Sequence, residues 1–372
     1  MTASTSHDRP RLSFLTPAYR TEAYLADTIA SVLRQTRAEW ELVVVDNGNS
    51  DTIASIVRSF AHDPRVRLVR QENRGYAGGV MAAAAVARGD WFCVLDSDDE
   101  IMPEFAATML DFFDAHPSVD AVGCDAYRVL DGDQRPLRRS YLQAIGCRPP
   151  AKGGEALTVA EVLGGRVPYY TGAISKEAWR AVGGYESGVE SDVLVWLRLT
   201  SDFDVRLLPD KLARFRLRPE SLSRHPDRVE DFESSLIRTF ATFAEKSGDP
   251  GHPSIAQGPV RRLRYNQALR RARWAFVDGD FEAARRLARD ARSQRATPRV
   301  GAILLLLRLP SGLLGRLYPV KQRLASGGHD ARQRILGWGS PRWLPFRRPG
   351  SGPVGSQSRR QLRQWQRGGV GS

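Results

Sequence analysis

The sequence predicts an α/β protein: a mainly parallel sheet with flanking helices, then an α-helical region and a disordered basic tail. Three observations predict it. Over the first hundred residues short apolar runs alternate with segments of helical period. Three of those runs stop in polar clusters, where such sheets place their ligands. Near residue 260 the charge changes sign.

Residues 12–15 read as a strand ending at Thr16-Pro17-Ala18-Tyr19, and 24–35 place Leu25, Ile29, Val32 and Leu33 at helical spacing. Residues 42–45 are a continuous apolar strand ending in Asp46-Asn47-Gly48-Asn49-Ser50-Asp51. Helix 53–60, strand 66–69, the Ala-rich helix 76–88 and strand 91–95 complete a β-α-β-α-β-α-β order. Beyond Asp125 the pattern loosens, with helices expected at 156–163, 176–182, 191–199 and 232–246. After the breakers Asp249-Pro250-Gly251-His252-Pro253, residues 261–276 and 281–292 read as a helical hairpin, thin on the face of Ala283, Ala284, Leu287 and Ala288. The run 303–317 is apolar but broken by Arg308, Pro310, Gly312 and Arg316, so it is too interrupted to span a membrane. It suits a membrane interface or a core helix pair. The expected divisions are 1–10 flexible, 11–228 the sheet domain, 229–324 helical, and 325–372 a disordered tail rich in Gly, Pro and Arg.

The net charge of +13 hides an asymmetry. Residues 1–259 hold 30 Lys+Arg against 37 Asp+Glu, a net of −7; residues 260–372 hold 25 against 5, a net of +20. A basic rear points to a polyanionic partner, and anionic lipid fits Trp338, Trp343 and Trp365 among arginines. Nucleic acid, stacking on the same tryptophans, is the less expected occupant, and a solvated tail is the bland reading. Cys93, Cys124 and Cys147 form neither a disulfide framework nor a zinc motif, which fits a reducing compartment. The polar N-terminus shows no signal peptide. The expected location is cytoplasmic, peripheral on the inner face of the plasma membrane if the rear binds lipid. The six histidines show no ligand spacing and are expected at the surface.

The chemistry concentrates in Asp96-Ser97-Asp98-Asp99-Glu100, directly after the strand 91–95. Carboxylates crowded at a buried strand end repel one another and resist desolvation, so they call for a cation. Oxygen ligands suit Mg²⁺ or Mn²⁺, bridging to substrate phosphates. A solvated loop with Asp98 or Asp99 capping the next helix is the plain alternative.

Thr16-Pro17-Ala18-Tyr19, Asp46 to Asp51, Asn73-Arg74-Gly75, Arg88-Gly89-Asp90-Trp91, Asp96-Ser97-Asp98-Asp99, Val182-Gly183-Gly184-Tyr185, Ser191-Asp192 with Trp196-Leu197-Arg198-Leu199, and Phe215-Arg216 before Ser221-Leu222-Ser223 stand in one order. Together they resemble the inverting family 2 glycosyltransferases of GT-A fold, over residues 12–223. The resemblance implies a metal-dependent hexosyl- or deoxyhexosyltransferase of cell-envelope polysaccharide or glycolipid synthesis. Its donor is a nucleoside-diphosphate sugar; its acceptor is a lipid-linked or glycan hydroxyl. By similarity Thr16, Pro17 and Tyr19 line the nucleoside pocket, and Asp46 and Asn47 read base or ribose. Asp96 and Asp98 flank the diphosphate, with Asp98 the direct metal ligand, and Asp192 is the general base. Glu190 is the fallback base, because no second acid adjoins Asp192. Arg198 and Arg216 are implied diphosphate contacts, Arg216 when the following loop closes; helix-surface or surface cations are the alternatives. Trp196 lines the acceptor site or packs in the core.

Two positions depart from the family pattern. Asn47 stands where a second Asp is common, and an amide donates as well as accepts, so the base preference is open. Val80 stands where an Arg is common, leaving a diphosphate contact to Arg74 or Arg88. A sugar nucleotidyltransferase would want a Gly-rich phosphate loop after the first strand, and Thr16 to Arg20 holds no glycine. The remaining alternative is a polyanion-binding protein with a non-catalytic GT-A domain.

Overall fold

The computed structural model describes residues 9–133, 135–148, 150, 153–218, 229–310 and 313. The first seven elements follow the alternation read from the sequence: β1 (Leu12–Ala18), α1 (Leu25–Leu33), β2 (Trp40–Asn47), α2 (Asp51–Ser59), β3 (Val66–Gln71), α3 (Gly75–Val86) and β4 (Trp91–Val94). Then come β5 (Glu100–Ile101), α4 (Phe105–Ala115), β6 (Ala121–Leu130), α5 (Tyr141–Ala144), β7 (Glu155–Ala156), α6 (Val159–Gly164), β8 (Tyr169–Ser175), α7 (Lys176–Ala181), α8 (Ser191–Asp202) and β9 (Val205–Leu217). Helices α9 (Val229–Lys246), α10 (His252–Val277), α11 (Phe281–Gln294) and α12 (Pro298–Leu306) close the described chain.

The described strands form one mixed sheet in the order β3-β2-β1-β4-β8-β6-β9-β5, with β7 on β9. β1 pairs parallel with β2 and β4, and β2 with β3. β8 runs against both β4 and β6, while β6 is parallel to β9. Six strands therefore share one direction, and the ends of β1, β2, β4, β6 and β9 meet on one edge. Side chains alternate between two covered faces, as strand period two demands. Leu15, Val43 and Val45 face one apolar cluster, shared with Trp179 of α7 and Trp196 of α8. Phe14, Leu42 and Val44 face the other, with Ile29 of α1 and Phe105 of α4. Cys93 is a fully buried hydrophobe in the second, as expected.

The C-terminal helices are not a detached unit. Phe240 and Phe243 of α9 and Ala256 of α10 belong to the first cluster. Two helices start elsewhere than the apolar period suggests. α6 begins at Val159, because Thr158 and Glu161 form a capping box and Glu155–Ala156 pairs with β9. α10 begins at His252 rather than 261, since a proline in the first turn loses no helical bond. His252 corrects the surface expectation: it is buried, its ring tilted against Phe243 and bonded to Ser247, while His62 and His116 are exposed. His7, His225, His329, Ser221 to Ser223 and the tail 325–372 lie outside the described residues. The hairpin of α10 and α11 forms, with Ala284 and Ala288 buried between them. No helix among the described residues is long and apolar enough to cross a membrane.

Candidate functional site

Four loops converge at the carboxyl edge. After β1, Thr16 is buried with Oγ1 unpartnered, and Tyr19 is half-exposed over Gly48. Pro17 meets α3 so closely that a Cβ on Gly79 would stand 2.8 Å from the proline Cβ, so only glycine fits. Arg20 (φ 58°) and Asn49 (φ 52°) are the non-glycine residues with left-handed backbone among the described residues, and both belong to this edge.

After β2, Asp46 is fully buried and ion-paired with Arg70 at 2.9 Å, its other oxygen accepting the Ser50 N–H. Asn47 is engaged at both ends of its amide. Its oxygen accepts from Gln71 (2.7 Å) and the Arg74 N–H (3.1 Å), and its nitrogen donates to the Gly75 carbonyl (2.9 Å). An aspartate could not make that last bond. Asn47 thus fixes the Asn73–Arg74–Gly75 turn and the start of α3. Of the two arginines that could replace the one absent at Val80, Arg74 is at this edge. Arg88 pairs with Glu41 at the opposite edge of the sheet.

After β4, single oxygens of Asp96, Asp98 and Asp99 lie within 4.8 Å of one another. Their environments differ. Asp96 accepts the Tyr76 hydroxyl at 2.6 Å. Asp98 pairs with Arg218 at 2.5 Å; burial still raises its carboxyl above the usual range, against the pull of Arg218. Asp99, buried, accepts the Tyr169 hydroxyl (2.5 Å) and the Arg216 N–H (2.7 Å). Arg216 is itself buried, bonded to the Asp98 carbonyl (2.9 Å) and Glu100 (3.2 Å). It holds the loop's backbone and is no surface cation.

Asp192 enters from the first turn of α8, where helix N–H groups favour its charge. Burial outweighs them and raises its carboxyl above the ordinary value. The rings of Tyr76 and Tyr185 have centroids 5.9 Å apart, and burial, reinforced by the charges of Asp96 and Asp192, raises both phenols. Helix α9 braces this turn: Thr239 accepts the Glu190 N–H at 2.8 Å and Arg238 donates to the Gly188 carbonyl. Glu190 is also raised by burial, with a Ser235 hydrogen bond opposing. Arg198 goes elsewhere, to the Val182 carbonyl (3.1 Å) and Glu186 (2.7 Å), tying α8 to the turn before it. Trp196 is buried against Gly172 of β8.

Residues 13–170 match the family described as Glycosyl transferase family 2. The match runs from β1 to the start of β8 and takes in Thr16, Asp46, Asn47 and the Asp96–Asp99 cluster. The succinoglycan biosynthesis protein ExoO of Rhizobium meliloti is 37% identical over 130 residues, 35% of this chain and 36% of that protein. The chain spans less than half the length of the first curated relatives it matches. The GT-A fold is shared with S. aureus TarS 1–349 in complex with UDP-GlcNAc, at TM-score 0.55, 17% identity and coverage of 79% of this chain and 84% of that one. It is also shared with mannosyltransferase PcManGT of Pyrobaculum calidifontis in complex with GDP-Man and Mn²⁺, at TM-score 0.52, 18% identity and coverage of 80% and 79%.

The carboxylate cluster fits a hard divalent cation. It offers oxygen donors only, and burial disfavours the Asp98 charge even with Arg218 beside it. Sequence reasoning missed Tyr76, Tyr169 and Arg218. The one signal for Arg218 is the period of two in Arg214, Arg216 and Arg218, which returns a cation to the same side of β9.

Proposed function

We propose that this protein transfers a sugar from a nucleoside-diphosphate donor to an acceptor hydroxyl, inverting the anomeric centre, with Mg²⁺ or Mn²⁺ at Asp98 and Asp96. The observation that carries it is the cluster of Asp96, Asp98 and Asp99, whose oxygens lie within 4.8 Å of one another at the carboxyl edge of the sheet. A diphosphate grip and a proton acceptor are what displacement at a sugar carbon requires.

Thr16, Pro17 and Tyr19 line the nucleoside, with Tyr19 the exposed side chain of the three. Asp46, fixed by Arg70, and Asn47, fixed by Gln71, shape its base and ribose end. A bound Mg²⁺ or Mn²⁺ supplies neutralisation of the leaving diphosphate. Asp192 takes the acceptor proton on the face away from the diphosphate, and its raised carboxyl affinity makes it the better base. Arg216 keeps the Asp98 backbone in place, and Arg198 sets the turn that presents α8.

A cell-envelope polysaccharide or glycolipid acceptor is supported by the name of ExoO, a succinoglycan biosynthesis protein. Peripheral attachment to anionic membrane is supported by the basic rear and by Leu305, Leu306, Leu309 and Leu313, all exposed at the end of the described chain. A thermal-shift panel of UDP-, GDP- and dTDP-sugars with Mn²⁺ tests the activity class. One donor raising the melting point, and losing that effect with EDTA, is the expected result. No response to any donor would remove the reading.

A further inference from the structure

Arg216 near the end of β9 and Arg218 just past it are held in opposite ways. Arg216 is buried and saturated: it bonds the Asp98 carbonyl and Glu100 and lies 3.5 Å from Asp27. Arg218, two residues on, meets the Asp98 carboxylate through one nitrogen at 2.5 Å. Its guanidinium sits 5.0 Å from the Tyr24 ring, and its Nε is buried with no hydrogen-bond partner. The two ends of the ion pair are 21% and 16% exposed, so solvent screens it only partly.

This pair occupies the carboxylate assigned to the metal. The guanidinium takes one oxygen of that carboxylate, so a divalent ion bound to Asp98 would stand close against a second positive charge. An arginine with an unsatisfied N–H and an aromatic face behind it is prepared for a forked anion, and a diphosphate is one. We propose that Arg218 is a displaceable counter-ion, resting on Asp98 while no divalent cation is bound and transferring to the donor diphosphate when one is. Cation and nucleotide then bind cooperatively, because each supplies what the other displaces. This rests on the metal-dependent reading above and adds an order to it: the cation alone is a poor ligand for the donor-free protein.

The experiment titrates Mn²⁺ into the full chain, following free Mn²⁺ by electron paramagnetic resonance, with and without UDP or GDP. Wild type should bind Mn²⁺ weakly alone and about tenfold more tightly with the nucleotide that raises its melting point. Arg218→Met should bind Mn²⁺ alone about tenfold more tightly than wild type and lose most of the nucleotide's effect. Arg218→Lys, keeping the charge on a flexible stem, should fall between, and a melting curve confirms that each variant is folded. Asp98→Asn should bind little Mn²⁺ under either condition. If Arg218→Met binds Mn²⁺ no more tightly than wild type while Asp98→Asn loses it, the counter-ion role is overturned and the metal site stands. If Asp98→Asn binds Mn²⁺ like wild type, the metal reading and the counter-ion role fall together.

Discussion

The Tyr169 hydroxyl donates to the Asp99 carboxylate at 2.5 Å, joining β8 to the loop that follows β4. With the Arg216 N–H on its other oxygen, Asp99 anchors the acidic loop. Tyr169→Phe removes one donor from a buried carboxylate, which costs about 1–3 kcal/mol. The expected outcome is an unfolding free energy lower by that amount in urea titration, with nucleotide binding retained by the folded fraction. Unchanged stability would mean that the bond does not anchor the loop.

Asp192 is asked to ionise where burial resists it, which couples stability to pH. Its folded-state pKa is raised above the ordinary carboxylate value, so between the two the folded protein binds more protons than the unfolded chain. Stability from this group is therefore full below the ordinary value and is lost as pH rises through the raised one. Asp192→Asn carries no such charge. At neutral pH it should match or exceed wild-type stability and bind donor normally. Its turnover should fall by about 10²–10⁴, the contribution of a positioned base. Donor affinity that collapses together with turnover would assign Asp192 a structural role.

Tyr76 is 44% exposed, yet its hydroxyl is committed to Asp96 at 2.6 Å. Tyr76→Phe keeps the ring beside Tyr185 and deletes only that bond. A net hydrogen bond is worth roughly 1 kcal/mol, so donor binding should weaken about fivefold with little change in stability. Isothermal titration with the nucleotide checks it. Loss of kcat alone, with affinity intact, would place Tyr76 with Asp192 instead.

The parallel half of the fold was legible in sequence because β1, β2 and β4 are buried on both faces and the strands are separated by segments of helical period. Residues 42–45 and 91–95 are apolar without interruption for that reason. The second half was not. β5 and β7 are two residues each and exist only by pairing with β9, whose arginines at 206, 214 and 216 make it look solvated. The position of Asp96 and Asp98 was legible because carboxylates at a strand end are conspicuous. The division of roles among them was not, since it is set by Tyr76, Tyr169, Arg216 and Arg218, 20 to 120 residues away. Asn47 shows the same limit: its type was visible, while its grip on Gly75 needed the packing of α3 on β2.

α12 and the turn after it put Leu305, 66% exposed, together with Leu306 and Leu309 beside Arg308. Each leucine taken into a bilayer interface contributes up to about 1.5–3 kcal/mol if fully buried, and each cation near anionic lipid about 1 kcal/mol. The two contributions respond differently to salt, because only the charges are screened. Leu305→Ser/Leu306→Ser should weaken sedimentation with phosphatidylserine vesicles by a similar factor at low and high salt. Deleting 325–372 should weaken it mainly at low salt, since that segment carries charge. Wild type that fails to sediment with such vesicles at low salt would remove membrane attachment. Equal losses from both variants at every salt concentration would show that the leucines and the tail act as one apolar anchor rather than through charge.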